Sequence, residues 1–381
     1  MRLSILDQSI AAAGRSPAEA IRDSVALARH AEDLGYHRFW VSEHHGFPGL
    51  AGSAPMPLLG AIAARTRRIR IGAAAVILPH TAPLKVAEEA LVLEALAPGR
   101  VDLGLGRGPG ASRATAYALS PELVDNPLAG AFGSPFADRF AEDVATLAAL
   151  LGGEPLPADH TFAGVAAVPA PEGEGPVPFL VGGTPYTARL AGRLGLPYAF
   201  AHFVAGGAGG AETVAIYRDA FVPGRFLDRP RLAVSAFALA AASAAEAAAV
   251  AGAFARWRTA RDAGRFSPIE PPAPAAASRA DALRRDGDPA ADLFGTADVV
   301  VAGLRDLADR YRADELVLQA PAFELGARMR SLRLIAEAAG LRAGGAQAGR
   351  PDPHASHPLT SGPPGAAPSP FPSPRLMEPS R

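Results

Sequence analysis

The stretch Arg38-Phe39-Trp40-Val41-Ser42-Glu43-His44-His45-Gly46-Phe47 passes from an apolar run into a polar cluster and then a glycine. Phe39-Trp40-Val41 reads as a strand buried on both faces, and it stops where a carboxylate and two adjacent histidines begin. In parallel α/β folds reactive groups collect at the carboxyl ends of strands, because the loops there vary while the core stays packed. A Glu-His-His cluster at such an end suits an acid/base site, a metal site or the floor of a cofactor pocket. The cluster alone leaves all three open.

Outward from this stretch, short β-type runs alternate with helical patterns. Strands are expected over 3–7, 38–42, 69–78, 101–106, 178–181, 198–201, 232–240 and 315–319. Helices are expected over 17–35, 57–66, 83–96, 135–151, 186–194, 212–221, 244–262, 297–312 and 324–339. The first helix has Ser16 as N-cap, Pro17 at N1 and Gly35 at its end. Strict alternation through eight strands predicts a closed (β/α)8 TIM barrel rather than an open doubly wound sheet. The Pro- and Gly-rich segment 152–175 is expected to be an excursion with a hairpin. Residues 264–293 read as an insertion, either a lid or a tolerated loop. The barrel domain is expected to span 1–341. From 342 to 381 Gly, Pro, Ala and Ser dominate and periodicity vanishes, which predicts a disordered tail.

Composition narrows the chemistry. In 381 residues there is no cysteine, so disulfides, thiolate ligands and a cysteine nucleophile are excluded. Lys85 is the one lysine, and it sits at a helix start, which disfavours Schiff-base mechanisms. A formal net charge of -1 gives no reason to expect nucleic acid or an anionic membrane as partner. No signal segment or membrane span is read, since the Ala-rich stretch 232–254 is too weakly apolar to insert. A cytoplasmic location is expected.

Three further segments carry candidate chemistry. Gly104-Leu105-Gly106-Arg107-Gly108-Pro109-Gly110 fails the dinucleotide fingerprint, because Pro109 stands in place of its third glycine. It reads better as a strand-to-loop turn that aims Arg107 into the barrel mouth, to hold a phosphate or a flavin carbonyl, with a solvated loop arginine as the alternative. Gly182-Gly183-Thr184-Pro185-Tyr186-Thr187 runs from a strand end into a helix, a phosphate cradle of free N–H groups, hydroxyls and glycines, although simple N-capping by Thr184 explains part of it. Gly72-Ala73-Ala74-Ala75 leaves room beside the backbone for something bulky and flat, unless it is a small-residue layer matched to larger neighbours.

The runs Ser42-Glu43-His44-His45, Gly72-Ala73-Ala74-Ala75-Val76-Ile77-Leu78-Pro79, 83–88 and Pro98-Gly99-Arg100-Val101-Asp102-Leu103-Gly104-Leu105-Gly106-Arg107, in this order, resemble the bacterial luciferase-like family from Leu3 to about Gly340. The resemblance is weakest across 108–176 and 264–293. It implies a (β/α)8 flavoprotein using reduced FMN, or the deazaflavin F420, supplied by a separate flavin reductase. In the monooxygenase branch reduced FMN and O2 form a C4a-hydroperoxide that oxygenates a small organic substrate. By the same resemblance His44 is the catalytic residue, with Glu43 and His45 in support. Ala74 and Ala75, joined by a non-prolyl cis peptide, would contact the cofactor with Arg107, Gly183, Thr184 and Thr187. The family's serines in the phosphate loop are replaced here by Gly183-Thr184. Phe39, Trp40, Phe47, Phe200 and Phe203 are available as pocket walls, although most aromatics at strand positions are simply core. A homodimer is expected.

FMN-dependent oxygenation is favoured over F420-dependent hydride transfer, because the segments 42–45 and 98–107 look closest to the oxygenases. A non-catalytic flavin-binding protein is the alternative outside enzymology. A metal-dependent barrel hydrolase would draw on His44, His45, His80 and His202, but Asp7-Gln8 is a poor start to its ligand set. No metal is expected.

Overall fold

Alternate residues of the strands divide between two apolar environments, and that division builds the barrel. The computed structural model describes residues 1–108, 110–120, 134–173, 175–205, 209–272 and 292–342, and all of these belong to one compact unit. Its strands are β1 (Leu3–Asp7), β2 (Arg38–Val41), β3 (Arg70–Ile77), β4 (Val101–Gly106), β5 (Val177–Gly182), β6 (Tyr198–Phe200), β7 (Leu232–Ala240), β8 (Asp292–Gly295) and β9 (Glu315–Gln319). Each strand from β1 to β7 pairs in parallel with the next. β7 also pairs with β9, and β9 with β1, which closes a ring of eight parallel strands.

The helices are α1 (Pro17–Asp33), α2 (Pro55–Ala63), α3 (Pro83–Leu96), α4 (Arg113–Leu119), α5 (Ser134–Gly152), α6 (Pro185–Arg193), α7 (His202–Ala205), α8 (Gly210–Asp219), α9 (Ala244–Asp262), α10 (Ala297–Tyr311) and α11 (Leu325–Ala339). Outward residues such as Leu3, Ile5, Phe39, Ile71, Leu103, Leu316 and Leu318 join helix residues in the main core. Inward residues Leu6, Trp40, Ala74, Phe179, Ala199, Ala233 and Val317 form a second cluster inside the ring. The first helix is capped as expected: Ser16 accepts from the Ala18 N–H, and Glu19 reaches back to the Ser16 N–H at 2.8 Å.

Four expectations need correction. Asp292 and Leu293 are not insertion but the start of β8, which adds to the 237–240 end of β7. A run of Asp-Leu-Phe-Gly is too short to display alternation. The segment 152–175 forms turns and no strand among the described residues, as its Pro and Gly density disfavours ladder pairing. Helices α4 and α7 are single turns or two inside loops, too short for a helical period. Phe39 and Phe200 face the helices, not the interior. The remaining expectations for the lid and the tail fall mainly on 273–291 and 343–381, outside the described residues.

The floor of the ring is ionic. Arg38 is 1% exposed, and its Nε donates to Glu315 at 2.9 Å and Nη1 to Asp102 at 2.6 Å. Arg70 Nη2 donates to the other Asp102 oxygen at 2.7 Å, and the Trp40 indole N–H to Asp102 at 3.1 Å. Ser4 donates to Glu315. Burial works against the charged form of Asp102, but Arg38 and Arg70 outweigh it and hold the carboxyl well below its ordinary value. Gly72 belongs to this cluster. A Cβ there would lie 2.3 Å from the Asp102 carbonyl oxygen and 2.8 Å from its Cβ. Its smallness admits Asp102, so at Gly72 the matched-layer reading holds rather than space for a flat ligand.

Replacing Asp102 by Ala is expected to cost about 3–5 kcal/mol, because Arg38 would be left charged and short of a partner inside the barrel. Urea denaturation of wild type and variant measures this; a loss under about 1 kcal/mol would contradict the account.

Candidate active site

At the opposite end of the ring, the loop after β2 turns its polar cluster into two separate units. The His44 N–H is fixed to the Gly52 carbonyl at 2.8 Å, and its Nδ1 lies 3.1 Å from Ser42 Oγ. Among the described residues no group bonds its Nε2. Burial pushes the His44 pKa down to about 4, aided by the neighbouring His45 and by Arg261 of α9. The residue is partly exposed, and the protein packed around the rest of its ring is what disfavours the charged form. His44 is therefore a neutral imidazole near neutral pH.

Glu43 and His45 point elsewhere. Glu43 Oε1 lies 2.7 Å from His45 Nε2, and Oε2 accepts from the Ile77 N–H at 2.9 Å. The His45 N–H donates to the Gly110 carbonyl at 2.8 Å. The pair thus ties the ends of β3 and β4 to the loop that carries His44. The His80 ring lies 6.0 Å from that of His45, whereas His202 packs with Phe200 and Tyr311 of the outer core. Among the described residues no three His, Asp or Glu are grouped to hold a metal.

β3 brings Ala74 to the barrel interior, and the peptide joining Ala74 to Ala75 is cis. The β3–β4 register shifts between Ala73 and Val76. Facing this point, a Cβ on Gly106 would sit 3.0 Å from that of Ala75. Beyond β4, the Arg107 guanidinium lies 4.5 Å over the Tyr186 ring, a stacking that holds it beside the start of α6. There Thr184 caps the helix, accepting from the Thr187 N–H at 3.4 Å, with the two hydroxyls 3.2 Å apart. Thr187 is buried and Thr184 exposed. The N–H groups of Gly183 and Thr184 carry no hydrogen bond among the described residues. A helix N-terminus with unused amides and an arginine beside it fits an anionic group such as a phosphate.

A strap crosses the mouth on the other side. The Phe266 ring stacks on Phe47 at 3.6 Å, and the Gly49 N–H donates to the Phe266 carbonyl at 2.7 Å. Ile269 exchanges backbone bonds with Ala11 and Ala13 after β1. A Cβ on Gly49 would meet the Ser267 carbonyl oxygen at 2.2 Å. Phe203, Phe237, Leu50 and Ile269 complete an apolar patch beneath it. Neither Phe266 nor Ile269 was among the expected walls, and their place in a long Pro-rich segment gives no periodic signal to find them by. Two buried amides complete the surroundings, of which the sequence singles out only Gln8, as part of a poor metal-ligand set. Gln319, 3% exposed, ends β9 with neither side-chain polar atom bonded, and Gln8, 7% exposed, follows β1 with Oε1 unbonded.

Comparison with known proteins accords with this geometry. The model of the family described as luciferase-like monooxygenase matches residues 1–314. The uncharacterized protein YwcH of Bacillus subtilis is 44% identical over 240 residues, 63% of this chain and 68% of YwcH. The N-acetyl-S-alkylcysteine monooxygenase of the same organism is 40% identical over 206 residues, 54% of this chain and 58% of its own length. Among solved structures, apo-MsnO8 superposes with a TM-score of 0.77 at 34% identity, covering 89% of this chain and 98% of its own. The oxygenating constituent of 3,6-diketocamphane monooxygenase, in complex with FMN, has a TM-score of 0.62 at 19% identity over 88% of this chain and 97% of its own, a likeness of fold. With its barrel closed and its candidate residues gathered at the carboxyl ends of β2 to β5, this chain belongs to the luciferase-like monooxygenase family.

Proposed function

We propose that the protein is a monooxygenase that takes reduced FMN from a separate reductase and uses O2 to oxygenate a small organic substrate. The observation that carries this reading is the neutral, half-covered imidazole of His44, one strand away from the small-residue wall of β3 and across from an anion cradle at β5. Arg107 and the amides of Gly183 and Thr184 would bind the FMN phosphate, with Thr187 bracing the cap. Ala74, Ala75 and Gly106 would leave space for the ring. When bound, reduced flavin supplies the electrons that activate O2. His44 Nε2 then holds or releases a proton in a setting where water is scarce. Glu43 and His45 keep its loop in register with β3 and β4. Phe47, Phe266 and Phe203 exclude water.

The monooxygenase name carried by a 40% identical relative supports oxygenation. A second reading, hydride transfer with F420, rests on the fold shared with an F420-dependent secondary alcohol dehydrogenase, at 16% identity and a TM-score of 0.60.

Anaerobic titration with reduced FMN and with F420, followed by admission of O2, separates the two. Saturable binding of reduced FMN and flavin reoxidation kinetics altered by the protein are expected. Tight F420 binding without any reaction with O2 would overturn the reading. Replacement of His44 by Ala is expected to lower turnover about 10²–10⁴-fold while leaving FMN affinity near wild type; equal losses in both would make His44 a binding residue.

His44 and His37 both have pKa values lowered to about 4, with burial as the leading cause. Between the ordinary value of 6.5 and about 4 the unfolded chain binds more protons than the folded one. Stability is therefore fully present above pH 6.5 and falls as the pH drops through that window. NMR titration should find the His44 imidazole neutral at pH 6 with a midpoint near 4; a midpoint at the ordinary value would refute its burial.

A further inference from the structure

The residues assigned so far occupy half of the ring, the ends of β2, β3, β4 and β5. On the other half, β9 presents Glu315, Val317 and Gln319 on one face. Glu315 lies in the ionic floor and Val317 in the interior cluster, so Gln319 is the next residue up on the interior face. It pairs in register with Phe237 of β7, which contacts Phe203 at 5.1 Å beneath the mouth. Gln8 follows Ser4 and Leu6, the interior residues of β1, and β1 is the strand beside β9.

A buried carboxamide normally has partners for both ends, because desolvating an amide without them is costly. Gln319 has none for Nε2 or Oε1 among the described residues, and Gln8 none for Oε1. A carboxamide presents a donor and an acceptor side by side, so the partner that satisfies both ends presents an acceptor and a donor in the same spacing. The flavin ring has such an edge, the imide N3–H flanked by C4=O, and the deazaflavin ring has the same edge. A carboxamide can bond it at two points, donating to the carbonyl and accepting from N3–H.

We propose that Gln319, with Gln8 in support, binds the imide edge of the flavin or deazaflavin ring. The inference rests on the flavin-dependent reading above. It also assigns Gln319 a cost: without the cofactor its amide is buried and unused, a destabilising feature kept for binding.

The test compares FMN with 3-methyl-FMN, whose N3 cannot donate, by fluorescence titration of wild type, Gln319→Met and Gln8→Met. Wild type is expected to prefer FMN by about tenfold. In Gln319→Met the affinity for FMN should fall by a similar factor and the preference should shrink to about twofold or less. Thermal unfolding of the cofactor-free Gln319→Met protein should match or exceed wild type, since no bond is lost. A Gln319 with a merely structural role would instead lower that melting temperature and leave the preference intact. If FMN does not bind, the same variants are titrated with F420, and Gln319→Met should weaken it by a similar factor. Wild type that binds neither FMN nor F420 overturns the functional reading and this proposal with it. Binding that is unchanged by Gln319→Met, or an unchanged preference, overturns this proposal alone.

Discussion

Closure of the ring depends on two carboxylates held inside it by arginine. Asp102 comes from β4 and Glu315 from β9, on different arcs of the barrel, and Arg38 of β2 bonds both. Each ion is taken out of water, a cost recovered only if the geometry is complete. Arg70 and the Trp40 N–H complete the shell of Asp102, and Ser4 joins that of Glu315. The burial that opposes the charge of Glu315 is likewise outweighed, first by Arg38. Gly72 is a glycine because this cluster needs its volume, and the Arg38 guanidinium covers the Phe179 ring at 5.2 Å. The floor therefore fixes which residues of β1, β2, β3, β4 and β9 face inward, and the mouth above those strands inherits that register.

The mouth is organised by the same alternation. Above Arg38 and Trp40 on β2 come Ser42 and then His44; above Glu315 and Val317 on β9 comes Gln319. Between floor and mouth the interior is lined by apolar side chains, among them Leu6, Trp40, Ala74, Phe179, Ala199, Ala233 and Val317. Such a lining suits chemistry that water would short-circuit, and it explains why burial rather than a nearby carboxylate sets the state of His44.

Much of this was legible in the chain. The eight ring strands are largely apolar runs, and their alternation with helices sufficed to predict a closed barrel. Ser16, Pro17 and Gly35 marked α1 from both ends. The Glu43-His44-His45 cluster was located but not divided; only the structure separates a half-covered imidazole from a Glu–His brace that reaches Ile77. Gln319 was invisible, since a glutamine ending a strand looks like a solvated residue until its burial is measured. β8 and the strap escaped because four residues in one case, and a Pro-rich segment in the other, carry no period. Phe39 and Phe200 were placed on the wrong face because a strand buried on both sides does not say which side is inside.

The strap across the mouth has a consequence for descent. Gly49 lies in the loop that carries His44, and the Ser267 carbonyl fills the space where a side chain would stand. The two segments are more than two hundred residues apart in sequence, yet they share one backbone bond and one stacked ring pair. They form a single exchangeable part. A chimaera that brought in a residue other than glycine at position 49 and kept this strap would drive a Cβ into the Ser267 carbonyl, so that position and the course of the strap have to change together.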